Sequence, residues 1–210
     1  MLRLLWTDSR EADLRALPPV SEYRRERAQK CRVETARRAG LCAEWLLISA
    51  LRKEQAALQL PLALSCEPNG KPGLSFDGLH FNLSHSGPYA ACALADQPIG
   101  LDIQLLQADT APVARRFFTD NERAALAESE TPDTLFTRFW CRKESFLKAI
   151  GLGLRTDLRT FDVSGDRPEL TYESQSYGFR ETRIGDLFFC LCAPTPLLPK
   201  TLLPEEIKLF

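Results

Sequence analysis

The sequence predicts a mixed α+β chain in two halves, and three observations lead there. Short apolar runs alternate with period two, two long stretches place apolar residues at helical spacing, and an unpatterned connection from Leu105 to Pro112 separates two segments that each read strand, helix, strands. The halves are therefore drawn as residues 1–104 and 105–210, each a small, mainly antiparallel sheet packed on helix.

The elements follow in order. Leu2, Leu4 and Trp6 alternate as an opening strand; Pro18-Pro19 end a loop, and Ser21 opens a charged helical region. Leu41, Trp45, Ile48 and Leu51 form the apolar stripe of a longer helix, with Arg38 one helical step before it. Pro61 to Gly73 is rich in turn residues, and short strands then run from His80 to Leu94 and from Pro98 to Gln104. Arg115 to Leu126 and Leu135 to Ile150 read as helices, the second stopped by Gly151 and Gly153. Alternation returns at Leu170–Tyr172, Tyr177–Arg183 and, after a turn at Gly185-Asp186, at Leu187–Cys192. The proline-containing tail after Pro194 reads as an extended packing strap or a partly disordered end.

A chain of 210 residues that is 44% hydrophobic can bury one sizeable core or two small ones. Its net charge of −1 provides no global field for a polyanion. Positive charge is local instead: Arg24, Arg25, Arg27, Lys30, Arg32, Arg37 and Arg38 face only Glu26 and Glu34, a net of +5. Such a run is either a solvated helix face or an anion site, and no recognition motif accompanies it to suggest nucleic acid. Seven cysteines without framework spacing suit a reducing, cytoplasmic setting, where they act as small hydrophobes. Asp8, Arg10, Glu11 and Asp13 interrupt the apolar start too early for a signal peptide, and no run approaches the roughly 20 apolar residues of a membrane span.

The chemistry concentrates in two places. In Trp140-Cys141-Arg142-Lys143-Glu144-Ser145-Phe146, Lys143 and Glu144 fall on the helical stripe of Phe136, Phe139, Trp140, Leu147 and Ile150. A carboxylate buried there needs a cation, a metal ion or a ligand, unless both side chains snorkel to solvent at the stripe's edge. Lys148, four residues after Glu144, is in the favourable order to partner it. In Ile99-Gly100-Leu101-Asp102-Ile103-Gln104, Asp102 and Gln104 share one face of a strand, either aimed at a site or solvated along an edge. Upstream, Phe81-Asn82-Leu83-Ser84-His85-Ser86 alternates likewise, and its His85 is either a ligand contact or a structural histidine. Two carboxylates from different elements suit a hard, oxygen-ligated cation, whereas Cys-x-x-Cys or His-rich soft-metal spacings are missing.

Taken in order, Gly70-Lys71-Pro72, Phe81-Asn82-Leu83-Ser84-His85-Ser86, Gly100-Leu101-Asp102-Ile103, Arg116-Phe117-Phe118 with Glu122, and Trp140-x-x-Lys143-Glu144-Ser145 with Lys148 and Gly151 resemble the two-domain, surfactin-type 4′-phosphopantetheinyl transferases. The resemblance spans about Arg24 to Gly153. It implies two similar half-domains related by a pseudo-twofold axis with the active site at their interface, and transfer of the phosphopantetheine arm of coenzyme A to a serine of an apo acyl or peptidyl carrier protein, releasing 3′,5′-ADP. Coenzyme A is then a substrate, magnesium the cofactor with manganese as the alternative, and the carrier belongs to fatty-acid, polyketide or nonribosomal-peptide synthesis. The enzyme is expected to be a cytoplasmic monomer with neither nucleic acid nor membrane as partner.

Carried over by position, Asp102, Glu144 and Gln104 are the expected metal ligands. Arg38, Lys71, Ser84, His85, Asp102, Lys143 and Lys148 are expected at coenzyme A, with Arg24, Arg25 and Lys30 aligned less closely. Glu144 or Glu122 would take the serine proton, and Lys148 would steady the pyrophosphate. Gln104 departs from the family's usual third acid; an amide oxygen can ligate but brings no charge, so metal binding should be weaker. A binding module without turnover, or a basic-helix interaction protein without a nucleotide site, are the alternative readings.

Overall fold

The computed structural model describes all residues except 55–57, 67–70, 75–77, 154–155 and 210. The chain folds into two compact units, Met1–Pro98 with Leu203–Phe210, and Ile99–Leu202. Among the described residues no helix is long and apolar enough to cross a membrane.

In the first unit, β1 (Leu2–Asp8), β4 (His80–Ser86), β5 (Tyr89–Ala95) and the short C-terminal β10 (Glu205–Glu206) form one sheet in the order β10-β1-β5-β4. β5 pairs antiparallel with β1 and β4, and β10 adds to β1 in parallel. The long helix α2 (Glu34–Glu54) packs on this sheet. Its predicted stripe is real: Trp45, Ile48 and Leu51 join Leu46, Leu47, Phe81, Leu94 and Leu5 in the core. Each aliphatic side chain fully buried this way contributes about 1.5–3 kcal/mol. The small helix α1 (Glu22–Lys30) is capped by the hydroxyl of Ser21, as the sequence suggested, and α1 packs on α2. β2 (Leu64–Cys66) and β3 (Pro72–Leu74) form a separate ribbon. The tail is a strap: the Ile207 N–H donates to the Trp6 carbonyl at 2.8 Å, and Leu209 is buried in this core.

In the second unit, β6 (Gly100–Leu105), β7 (Leu170–Tyr172), β8 (Gln175–Ile184) and β9 (Leu187–Pro194) form an antiparallel sheet in the order β6-β9-β8-β7, under the helix α5 (Pro132–Ile150). The domain boundary expected after Gln104 therefore moves to precede Ile99. The hydrogen-bond ladder of β6 runs to β9, not to its sequence neighbour β5, so Asp102 lies in the second unit. The single helix expected from Arg115 to Leu126 is two, α3 (Ala111–Phe117) and α4 (Asp120–Glu128). Thr119 interrupts it with a capping box: its hydroxyl accepts from the Glu122 N–H, and the Glu122 carboxylate accepts from the Thr119 N–H. Phe118 stacks on Phe136 with centroids 4.9 Å apart, and Phe136, Phe139, Phe146 and Val163 fill the core around them. α5 ends at Gly151, whose φ of 74° is the left-handed C-cap that glycine adopts without strain.

Candidate active site

Gly100 sets the geometry. A Cβ built there would lie 1.9 Å from the Ser145 carbonyl oxygen and 2.4 Å from the Ala149 nitrogen, so only glycine lets α5 lie this close to β6. Asp102, two residues along the same face, is thereby brought under α5 and is only 5% exposed. The Lys148 ammonium donates to Asp102 Oδ1 at 2.6 Å, and the Cys141 thiol donates to the Asp102 carbonyl at 3.3 Å. Lys148 was expected to partner Glu144; its hydrogen bond goes to Asp102, while its charge still acts favourably on Glu144.

Glu144 is the perturbed group. Burial first, and the negative charge of Asp102 second, push its carboxyl up to about 7, against the opposing pull of Lys148. Two carboxyl groups that act on one another, with the Lys148 ammonium beside them, form a hard-oxygen donor set that fits a divalent cation, whose charge would relieve their repulsion. Among the described residues no cluster of three or more His, Cys, Asp or Glu could hold a metal; Gln104, on the same strand face as Asp102, offers a neutral amide oxygen beside the two carboxyl groups.

Other predicted site residues are engaged in scaffolding. Lys143 and Glu122 form an ion pair at 2.9 Å with both side chains 0% exposed. Lys143 also donates to the carbonyls of Leu158 and Phe161 at 2.7 and 2.8 Å, and lies 4.5 Å from the Phe161 ring centroid. Glu122 accepts from the N–H groups of Val163 and Thr119 at 2.8 and 2.9 Å. With its carboxylate enclosed in this way, Glu122 is poorly placed to take a proton from an incoming serine, and Lys143 is similarly enclosed from an incoming phosphate. The sequence Thr119-Asp120-Asn121-Glu122 carried the signal, a capping box.

In the first unit, Arg38 donates from Nη2 to the carbonyls of Ser9 and Ala12, both at 2.8 Å, and so braces the loop after β1. Arg24 is buried against Glu44, its Nε 3.6 Å from Oε2, and Glu44 also accepts from the Ser21 N–H and hydroxyl at 2.6 and 2.8 Å. Burial pushes the Arg24 guanidinium below its ordinary range, against the pull of Glu44. Lys30 pairs with Glu26 at 3.8 Å on an exposed face, and Arg25 is exposed. On β4, Asn82, Ser84 and Ser86 are buried and His85 is exposed; Lys71 is half-buried just before β3, and Gly70 lies outside the described residues. Sequence reasoning missed two buried charges, Glu44 and Arg142, because both sit inside helical stripes read as apolar.

A family model described as the 4′-phosphopantetheinyl transferase superfamily matches residues 98–186, the span that holds Asp102, Glu122, Glu144 and Lys148. A 4′-phosphopantetheinyl transferase of Bacillus subtilis is 31% identical over 153 residues, 71% of this chain and 68% of the relative. The 4′-phosphopantetheinyl transferase Sfp of Bacillus subtilis (strain 168) is 30% identical over 74% of this chain and 70% of its own. The L-aminoadipate-semialdehyde dehydrogenase-phosphopantetheinyl transferase of Mus musculus is 31% identical over 76% of this chain and 58% of its own. By these similarities over most of its length, the chain belongs to the surfactin-type 4′-phosphopantetheinyl transferase family.

Proposed function

We propose that this enzyme transfers the 4′-phosphopantetheine arm of coenzyme A to a serine of an apo carrier protein, in a magnesium-dependent reaction that releases 3′,5′-ADP. The observation that carries the reading is the meeting of Asp102, Glu144 and Lys148 where α5 lies on β6. In the reaction the serine oxygen bonds to the phosphorus bearing the pantetheine arm, the bond from that phosphorus to the ADP oxygen breaks, and the serine proton passes to a base. Asp102 and Glu144, with Gln104 beside them, would hold the magnesium, which when bound neutralises diphosphate oxygens and favours charge building on the leaving group.

The chain's own groups do the rest. Lys148, about a quarter exposed, offers its ammonium to the pyrophosphate. Glu144, poised near neutrality, is suited to accept the serine proton as well as to ligate. Lys71, Ser84 and His85 are the first unit's candidates for the phosphates and ribose of coenzyme A, with Arg38 bracing the loop that follows β1. Carrier docking is assigned to a cavity of about 650 Å³ lined by Arg115, Arg116, Phe117 and Trp140, where Arg116 lies 5.0 Å from the Phe117 ring centroid. Exposed arginines beside aromatic rings suit an acidic, helical partner.

The test is the mass of an apo acyl carrier protein after incubation with the enzyme, coenzyme A and magnesium. Addition of one phosphopantetheine arm, lost on chelation and in Asp102→Ala, is the expected result. An unmodified carrier at full magnesium, with coenzyme A binding retained, would leave a binding module weakened at Gln104.

A further inference from the structure

We propose that Glu181, on β8, is a positioning residue that fixes the roll of α5 and so aims Glu144 and Lys148 at Asp102. The inference rests on the metal reading of the Asp102 site and adds a residue that lies two strands away from it. In the sheet register Asp102 pairs with Cys190 and Cys190 pairs with Glu181, so the three form one row across β6, β9 and β8. Residues in register project to the same face, and adjacent strands are about 4.8 Å apart, so the two carboxylate positions are separated by about 10 Å.

α5 is tied to this row at three points. Lys148 meets Asp102 at 2.6 Å, the Ser145 hydroxyl donates to Cys190 Sγ at 3.3 Å, and Arg138 and Arg142 both reach Glu181. The last tie is the strongest: Arg142 is 0% exposed and donates from Nε and Nη2 to the two Glu181 oxygens at 2.8 Å each, and Arg138 adds bonds of 2.9 to 3.2 Å. Burial works to raise the Glu181 carboxyl, but the hydrogen bonds from Arg142 and Arg138 outweigh it and hold the group below its ordinary range.

Helical spacing turns this tie into a lever. Successive residues advance by about 100°, which puts Arg138 and Arg142 on one flank of the stripe Cys141, Ser145, Ala149, and Glu144 and Lys148 on the other. Fixing the β8 flank therefore fixes the β6 flank. A roll of about 10° moves a side-chain group about 6 Å from the helix axis by about 1 Å, enough to spoil a ligand position. The Arg142 that holds Glu181 is fully buried, whereas the Lys148 that meets Asp102 is about a quarter exposed. One end of the row is thus built as an anchor and the other as a site.

The experiment measures Mn²⁺ affinity by calorimetry on metal-stripped protein without coenzyme A, together with transfer to an apo acyl carrier protein. Glu181→Gln keeps the side chain's size, and Arg142 keeps its bonds to the carbonyls of Val163, Gly165 and Asp166. The expected result is a folded variant, by circular dichroism, with Mn²⁺ binding weakened about tenfold, kcat lowered and the KM for coenzyme A unchanged. Unchanged Mn²⁺ affinity in a folded Glu181→Gln protein overturns the proposal. If that variant fails to fold, Arg138→Gln, at the more exposed arginine, carries the test: about threefold weaker Mn²⁺ binding supports positioning, and wild-type affinity overturns it. Asp102→Ala separates the two layers. Mn²⁺ binding that survives this change sinks the metal reading and the proposal together, whereas binding lost here but intact in Glu181→Gln sinks the positioning role alone.

Discussion

Replacing Glu144 with glutamine should stabilise the metal-free protein at alkaline pH while stopping its chemistry. The folded state holds this carboxyl up at about 7 against an ordinary 4.5, so between those values the folded chain keeps a proton that the unfolded chain has lost. A group raised on folding contributes stability that is fully present below the unfolded value and lost as pH climbs through the folded one. The shift corresponds to about 3 kcal/mol, and relaxation around the charged side chain brings the expected loss to about 2–3 kcal/mol by pH 8. Glutamine never ionises and escapes that loss. Urea unfolding in the presence of a chelator, at steps from pH 4 to pH 8.5, should therefore show wild type weakening relative to Glu144→Gln from about pH 4.5 upward and levelling off above 7. The same variant should transfer no arm, and magnesium should raise the urea midpoint of wild type more than that of the variant. Parallel pH profiles for the two proteins would refute the reasoning, because they would mean that Glu144 is as well solvated folded as unfolded.

Four further outcomes are expected. Glu122→Ala should cost about 3–5 kcal/mol in urea unfolding by leaving Lys143 buried without its carboxylate, whereas Asp102→Ala should lose transfer with the fold intact; similar stability losses in both would blur scaffold and site. Gln104→Glu should tighten Mn²⁺ binding in calorimetry by adding a charge on the Asp102 face, and unchanged affinity would place residue 104 outside the ligand set. Charge reversal of Arg115 and Arg116 should raise the KM for the carrier and spare that for coenzyme A, with a smaller effect at high salt; a loss confined to coenzyme A would move the docking surface elsewhere. Gly100→Ala should cost about 1–3 kcal/mol or more and lower transfer, since α5 must lift from β6; wild-type activity would show that the close approach is dispensable.

Much of this was legible in the chain. Period-two alternation located β1, β8 and β9, and helical spacing located α2 and α5, because each buries one face whose pattern survives in sequence. Strand pairing was not legible. β6 follows β5 with only a short connection, yet it completes the ladder of β9, some ninety residues later, and nothing local in Gly100–Leu105 names its partner. The same limit hid Glu181, whose meaning comes only from lying two strands from Asp102 in register. At the site, residue types were legible and their tasks were not. Lys143 and Glu144 are neighbours in sequence, but one helical step of about 100° sends the first to Glu122 and the second toward Asp102.

That divergence separates structure from chemistry along α5. Arg142 and Lys143 are fully buried cations, each answered by a carboxylate and by backbone carbonyls. Burial makes any vacancy in such sets costly, so they fix the helix and leave nothing over for a substrate. Glu144 and Lys148 differ in kind. Glu144 is half-buried beside another acid and is pushed toward protonation, and Lys148 keeps part of its surface open while bonded to Asp102. Burial and the neighbouring acid make ionising Glu144 costly, so the folded chain favours the protonated carboxyl, and on the proposed reading a divalent cation would offset that cost. The rigid pairs make that arrangement tolerable: without Arg142 and Lys143 pinned on the other faces, α5 could roll or lift until Glu144 reached water and its tension vanished.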